Sequence, residues 1–123
     1  MSSIIDFATF EYSTAEQVVG IIGNKLVYRK TFELTTSTTS TSTRFSHGIS
    51  DFDMLVDVRG SFEVRQGIWE PIVRATNSFN WLNSISDIRG NTPDYPNTFL
   101  FETGQDVNKG RRLIVHLYYT KTS

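Results

Sequence analysis

The Gly23-Asn24 pair, set between Ile21-Ile22 and an alternating run over 26–32, constrains this chain more than any other feature. Both residues tolerate positive φ, which the tight primed hairpin turns require, so the flanking runs are expected to pair as antiparallel strands. In the second run Leu26, Tyr28, Lys30 and Phe32 point one way and Val27, Arg29, Thr31 and Glu33 the other. That two-residue period makes one face mostly apolar and one mostly polar. Just upstream, Ser13 or Thr14 ahead of Glu16 and Gln17 has the form of a capping box, and one or two helical turns are expected there. The β-branched Val18 and Val19, followed by Gly20, should stop that helix before Ile21.

The same period recurs downstream. Over 53–73 a second hairpin is expected, with Val56, Val58, Phe62 and Val64 on one face, Gln66-Gly67 at the turn and Pro71 confining the return strand to an edge. Gly60, in mid-strand, marks a bulge or a close backbone approach. The Ser/Thr run over 35–43 reads as a hairpin arm or solvated loop, with a hydroxyl-rich pairing or glycan-contacting surface as the alternative. Between 76 and 98 the chain is rich in Asn, Ser, Asp and Pro, with one short strand expected over 85–88 and a loop after it. Phe99, Leu100 and Phe101 form another strand, and 104–110 a turn. Over 112–120, Leu113, Val115, Leu117 and Tyr119 share one face and Ile114, His116 and Tyr118 the other, so this strand should lie centrally in a sheet or against a neighbouring subunit.

Together these readings give an all-β fold, an antiparallel β-sandwich or jelly-roll-like domain with a short N-terminal helical or extended segment. Residues 1–12 form an N-terminal arm suited to attachment and 13–123 a single β domain. A chain of 123 residues can bury roughly two-thirds of its unfolded surface. Nine Phe, five Tyr and two Trp favour strands, and the lack of cysteine removes disulfides, thiol nucleophiles and thiolate metal sites. A net charge of −1 with dispersed charges leaves no footprint for nucleic acid. The one basic cluster, Lys109 to Arg112, reads as a turn or a gatekeeper before the last apolar strand. The N-terminus has no basic n-region and no apolar run long enough for membrane insertion, so a soluble protein without an export signal is expected.

Catalytic chemistry is not visible. His47 and His116 fall on unlike elements, and His116 reads as a half-buried or interfacial strand residue. Asp51, Asp53 and Asp57 lack the glycine and distal glutamate of a calcium loop. No nucleophile elbow, phosphate loop or dinucleotide fingerprint occurs, so no enzyme activity, metal or cofactor is expected. What the residues do suggest is a glycan platform: Trp81 or Trp69, with Tyr95, Asn83 and Asp94, the ring covering the apolar face of a sugar while short polar side chains take its hydroxyls. For Trp81 core packing fits equally well, and Trp69, beside Ile68 and Ile72, reads as core. Tyr12, Tyr28, His116 and Tyr118 belong to packing or to an oligomer interface.

Several motifs also carry a resemblance. Glu11-Tyr12-Ser13-Thr14, Glu16-Gln17, Gly20, Lys25 and Tyr28-Arg29-Lys30-Thr31 follow a pattern close to E-Y-S-T-x-E-Q-x-x-G-x-W-x-D-G-K-x-x-Y-R-K-T. Asp53, Leu55, Val56, Asp57 and Gly60 follow in the middle, and Leu117 with Tyr119-Thr120-Lys121-Thr122 closes the chain. This arrangement resembles the C-terminal modules of phage tail, baseplate and head-fibre proteins. It departs from them at Ile21-Ile22-Gly23-Asn24, where the pattern has W-x-D-G. The resemblance implies a virion structural protein, a fibre or decoration module acting in host-surface adhesion or particle assembly. It implies a homotrimer, contacts with capsid or baseplate proteins, and a host cell-surface glycan as receptor. A carbohydrate-binding module or accessory domain of a glycan-active enzyme is the alternative.

Overall fold

The Gly23-Asn24 turn joins β1 (Gln17–Ile22) to β2 (Lys25–Thr35), with Ile22 opposite Lys25, in a computed structural model that describes residues 14–72, 83–103 and 110–122. Gly23 has φ +59° while Asn24 is not among the positive-φ residues, the signature of a II′ turn with glycine at its first central position. The remaining elements are β3 (Ser42–Ser46), β4 (Phe52–Arg65), β5 (Ile68–Pro71), β6 (Asn83–Ser86), β7 (Thr98–Thr103) and β8 (Arg112–Lys121). They form two antiparallel sheets, five strands in the order β1-β2-β8-β4-β5 and three in the order β3-β7-β6. The fold is all-β and sandwich-like, as expected. The central place of β8 and the edge position of Pro71 in β5 also follow the sequence reading.

The core lies between the sheets because each supplies an alternating apolar face. From the larger sheet come Phe62, Leu113, Val115, Leu117 and Tyr119, and from the smaller Ile85, Phe99 and Phe101, all buried. Aromatic rings bridge the layers: Phe62 to Phe101 at 5.1 Å between centroids and Phe32 edge-on to Phe99 at 5.8 Å. Gly60 faces Val115 across the ladder, and a Cβ built there would stand 2.5 Å from the Ile114 carbonyl oxygen and 2.9 Å from Ile72 Cδ1. Close backbone approach, rather than a bulge, therefore explains this glycine.

Two expectations change, and a third is narrowed. Residues 14–17 hold no helix, and β1 starts at Gln17 and runs through Gly20, with a bulge between Val18 and Gly20. The acid and the amide that would reach back to a cap are engaged elsewhere. The Glu16 carboxylate accepts from the Tyr119 hydroxyl and, at 2.5 Å, from Lys121 Nζ, and Gln17 Oε1 accepts from Arg29 at 2.6 Å. Val56 does not share the core face with Val58 and Phe62, because a bulge between Leu55 and Asp57 leaves it exposed. The Ser/Thr run takes the loop form of its two expected readings, not the arm, over 36–41 between β2 and β3. Thr35 ends β2, and Ser37 Oγ then accepts from the backbone N–H of Thr39 and of Ser40, a hydroxyl-built turn that delivers the chain to β3.

Candidate functional site

The loop over 87–97, between β6 and β7, is the most heavily determined irregular segment among the described residues. Three of its non-glycine residues hold positive φ: Asp87 at 50°, Tyr95 at 49° and Asn97 at 58°. A tyrosine there is strained, and such residues persist only where their surroundings over-determine them. The surroundings do so through buried His47. His47 Nδ1 accepts the Ile49 N–H at 3.0 Å, so Nε2 carries the proton and donates to the Arg89 carbonyl at 2.7 Å. Burial, the dominant cause, and the nearby Lys30 charge lower the His47 pKa, and the bond to Arg89 offsets them only in part. The Asn97 carbonyl accepts the His47 N–H, and the Asn97 N–H donates to Gly90 O at 2.7 Å, closing the loop base.

On this base Tyr95 is 62% exposed, with the Arg44 guanidinium 4.6 Å and the Arg89 guanidinium 5.5 Å from its ring centroid. Both arginines are held by Asp87, at 2.6 Å from Arg44 and 3.0 Å from Arg89. These hydrogen bonds, Arg89's first, lower the Asp87 pKa and keep it ionised. Arg89 also donates to the Asp94 carbonyl at 2.9 Å, as does Thr92 Oγ1 at 2.7 Å. The result is an exposed aromatic ring with two guanidinium groups over it, their charges paired by Asp87. Among the described residues no group of three or more His, Asp or Glu is placed to hold a metal.

Of the proposed platform, Tyr95 and Asp94 lie together in this loop. Asn83 opens β6 at the end away from Asp87, about 10 Å along the strand, and Trp81 lies outside the described residues. Of the proposed interface residues, Tyr28 is occupied within its own chain, stacked on Tyr119 at 6.0 Å with Lys121 Nζ 4.5 Å from its ring centroid. His116 and Tyr118 point from β8 to the side of the five-stranded sheet away from the core, where both are half-buried. There Nδ1 of His116 pairs with Thr31 Oγ1 at 2.7 Å, and the Arg59 guanidinium sits 5.8 Å from the Tyr118 ring centroid. Tyr12 lies outside the described residues.

Sequence reasoning missed the grouping of Arg44 and His47 with Asp87 and Arg89, pairs that lie 43 and 42 positions apart. Trp69, offered as a platform ring with core packing as its plainer role, is 38% exposed on β5. No family model, curated protein or solved structure matches the chain.

Proposed function

We propose that this chain is a phage virion structural protein, a fibre or decoration module that assembles on capsid or baseplate and contributes to host-surface adhesion. The observation that carries this reading is spatial. Motif residues from both ends and the middle of the chain meet at one end of the five-stranded sheet. Glu16, Tyr28, Tyr119 and Lys121 form one cluster. Beside it Asp53 accepts from Lys25 Nζ at 2.7 Å and from Thr120 Oγ1 at 2.9 Å. The pattern behind the resemblance thus serves architecture, and the segments outside it, the 87–97 loop above all, are free to serve recognition.

A homotrimeric fibre is the assembly we infer. The β1–β2 hairpin leaves Val18, Val19, Ile21, Ile22 and Leu26 exposed along a sheet edge, and symmetric packing would cover them. Adhesion would then be multivalent, several weak sites per fibre giving avidity above the single-site affinity. Light scattering on a sizing column tests the assembly: the chain mass is 14.0 kDa, so a trimer elutes at about 42 kDa. A stable species at 14.0 kDa that still binds glycan would instead favour the carbohydrate-binding module. The exposed Trp69 supports that second reading.

A further inference from the structure

The five-stranded sheet packs one face on the core, and its other face carries a groove at the end where Thr35, Arg112, Glu63 and Trp69 follow one another across the strands. Glu33, Thr35, Trp69, Arg112 and Ile114 line it, with a volume of about 410 Å³, within the range of small-ligand sites. From the structure we propose that this groove is a saccharide-binding site for a neutral pyranose, with Trp69 as stacking surface and Arg112 and Glu33 as hydrogen-bonding groups. The proposal deepens the adhesion reading above and rests on it.

The parts are positioned by strand register. Glu63 lies opposite Trp69 across the β4–β5 ladder, and Thr35 lies opposite Arg112 across β2–β8. Glu63 is buried, and its two oxygens accept from Nε and Nη2 of Arg112, both at 2.9 Å. Its Oε2 also accepts the Gly67 N–H at 3.0 Å, so the carboxylate that orients Arg112 is itself locked into the hairpin turn. The Arg112 guanidinium rests 5.3 Å from the Trp69 ring centroid, yet its side chain is 65% exposed. Two of its five N–H donors face Glu63, and the fork geometry turns the Nη1 pair away from that carboxylate.

Charge selects the ligand class. Arg112 is paired with Glu63, on which the Arg111 charge also acts, and Glu33 adds a carboxylate beside the apolar Ile114, so the charges of the described residues around the groove balance and favour a ligand without net charge. A neutral pyranose presents an apolar C–H face to the indole and hydroxyls that can donate to Glu33 and accept from Arg112. Glu63 is already held by Arg112 and the Gly67 N–H, which limits the ordering cost on that side of the groove.

The experiment is NMR on the full ¹⁵N-labelled chain, titrated with methyl β-glucopyranoside, methyl β-galactopyranoside and N-acetylglucosamine, the Trp69 indole signal being assigned from Trp69→Phe. The expected result is saturable shifting of the Trp69 indole and Arg112 Nε–H signals by at least one sugar. Trp69→Ala should weaken that affinity about tenfold, and Glu33→Gln should weaken it several-fold, with the unfolding midpoint of Glu33→Gln unchanged. Shifts confined to the 87–97 loop, with affinity kept in both variants, would overturn the groove and leave adhesion standing. No saturable shift anywhere with any of the three sugars would overturn the groove and the glycan part of the adhesion reading together, while the solution mass tests the fibre separately.

Discussion

Single residues set limits that can be measured one at a time. Gly60→Ala places a methyl group against the Ile114 carbonyl, and we expect it to lower stability by about 1–3 kcal/mol in a denaturant titration. His47 must stay neutral to accept from Ile49 while donating to Arg89. Its folded pKa lies below the ordinary 6.5, so the unfolded chain takes up its proton first as the pH falls. The stability it contributes is complete above pH 6.5 and is lost as the pH drops through the folded value. Imidazole NMR shifts should show His47 still neutral where a free histidine has begun to titrate. Glu63 behaves likewise in acid. Its hydrogen bonds from Arg112 and then Gly67 hold its pKa at about 2 against an ordinary 4.5, so its contribution is full above pH 4.5 and fades towards pH 2. Glu63→Gln should flatten the unfolding midpoint over that interval.

At the scale of elements, the β1–β2 hairpin separates association from folding. Ile21 is 71% exposed, so Ile21→Lys should leave the unfolding midpoint of the single chain within about 0.5 kcal/mol of wild type. If the edge is covered in a trimer, the same change should convert a species of about 42 kDa to one of 14.0 kDa on the sizing column. This hairpin was legible in the sequence because a turn residue and a period of two are local signals. The bulges at Val18/Gly20 and Leu55/Asp57 were not, since one extra residue in a strand looks like any other until its partner is known. The missing helix has the same origin: Glu16 finds Tyr119 and Lys121 more than a hundred positions away, and that tie overrides the local capping motif. For the candidate site, Tyr95 and Asp94 were legible as polar-loop residues. Arg44, Asp87 and Arg89 were not, because only the β3–β7–β6 register brings Arg44 to Asp87.

For the whole molecule, the ladder order matters more than any contact. The larger sheet is held by β8, which pairs with β2 on one side and with β4 on the other. Its inward residues Leu113, Val115, Leu117 and Tyr119 are also the centre of the core. Removing residues 110–123 should therefore leave no folded remnant. Circular dichroism and amide-proton dispersion of the truncated chain would report the loss, and native-like dispersion would contradict it. Synthesis adds a temporal consequence. A ribosome delivers β2 and β4 well before the strand that joins them, so both expose unpaired edges and an uncovered apolar face until residues past 112 emerge from the exit tunnel. The nascent chain is thus a natural client for holding chaperones, and its yield in a heterologous host should depend more on their supply than on its final stability.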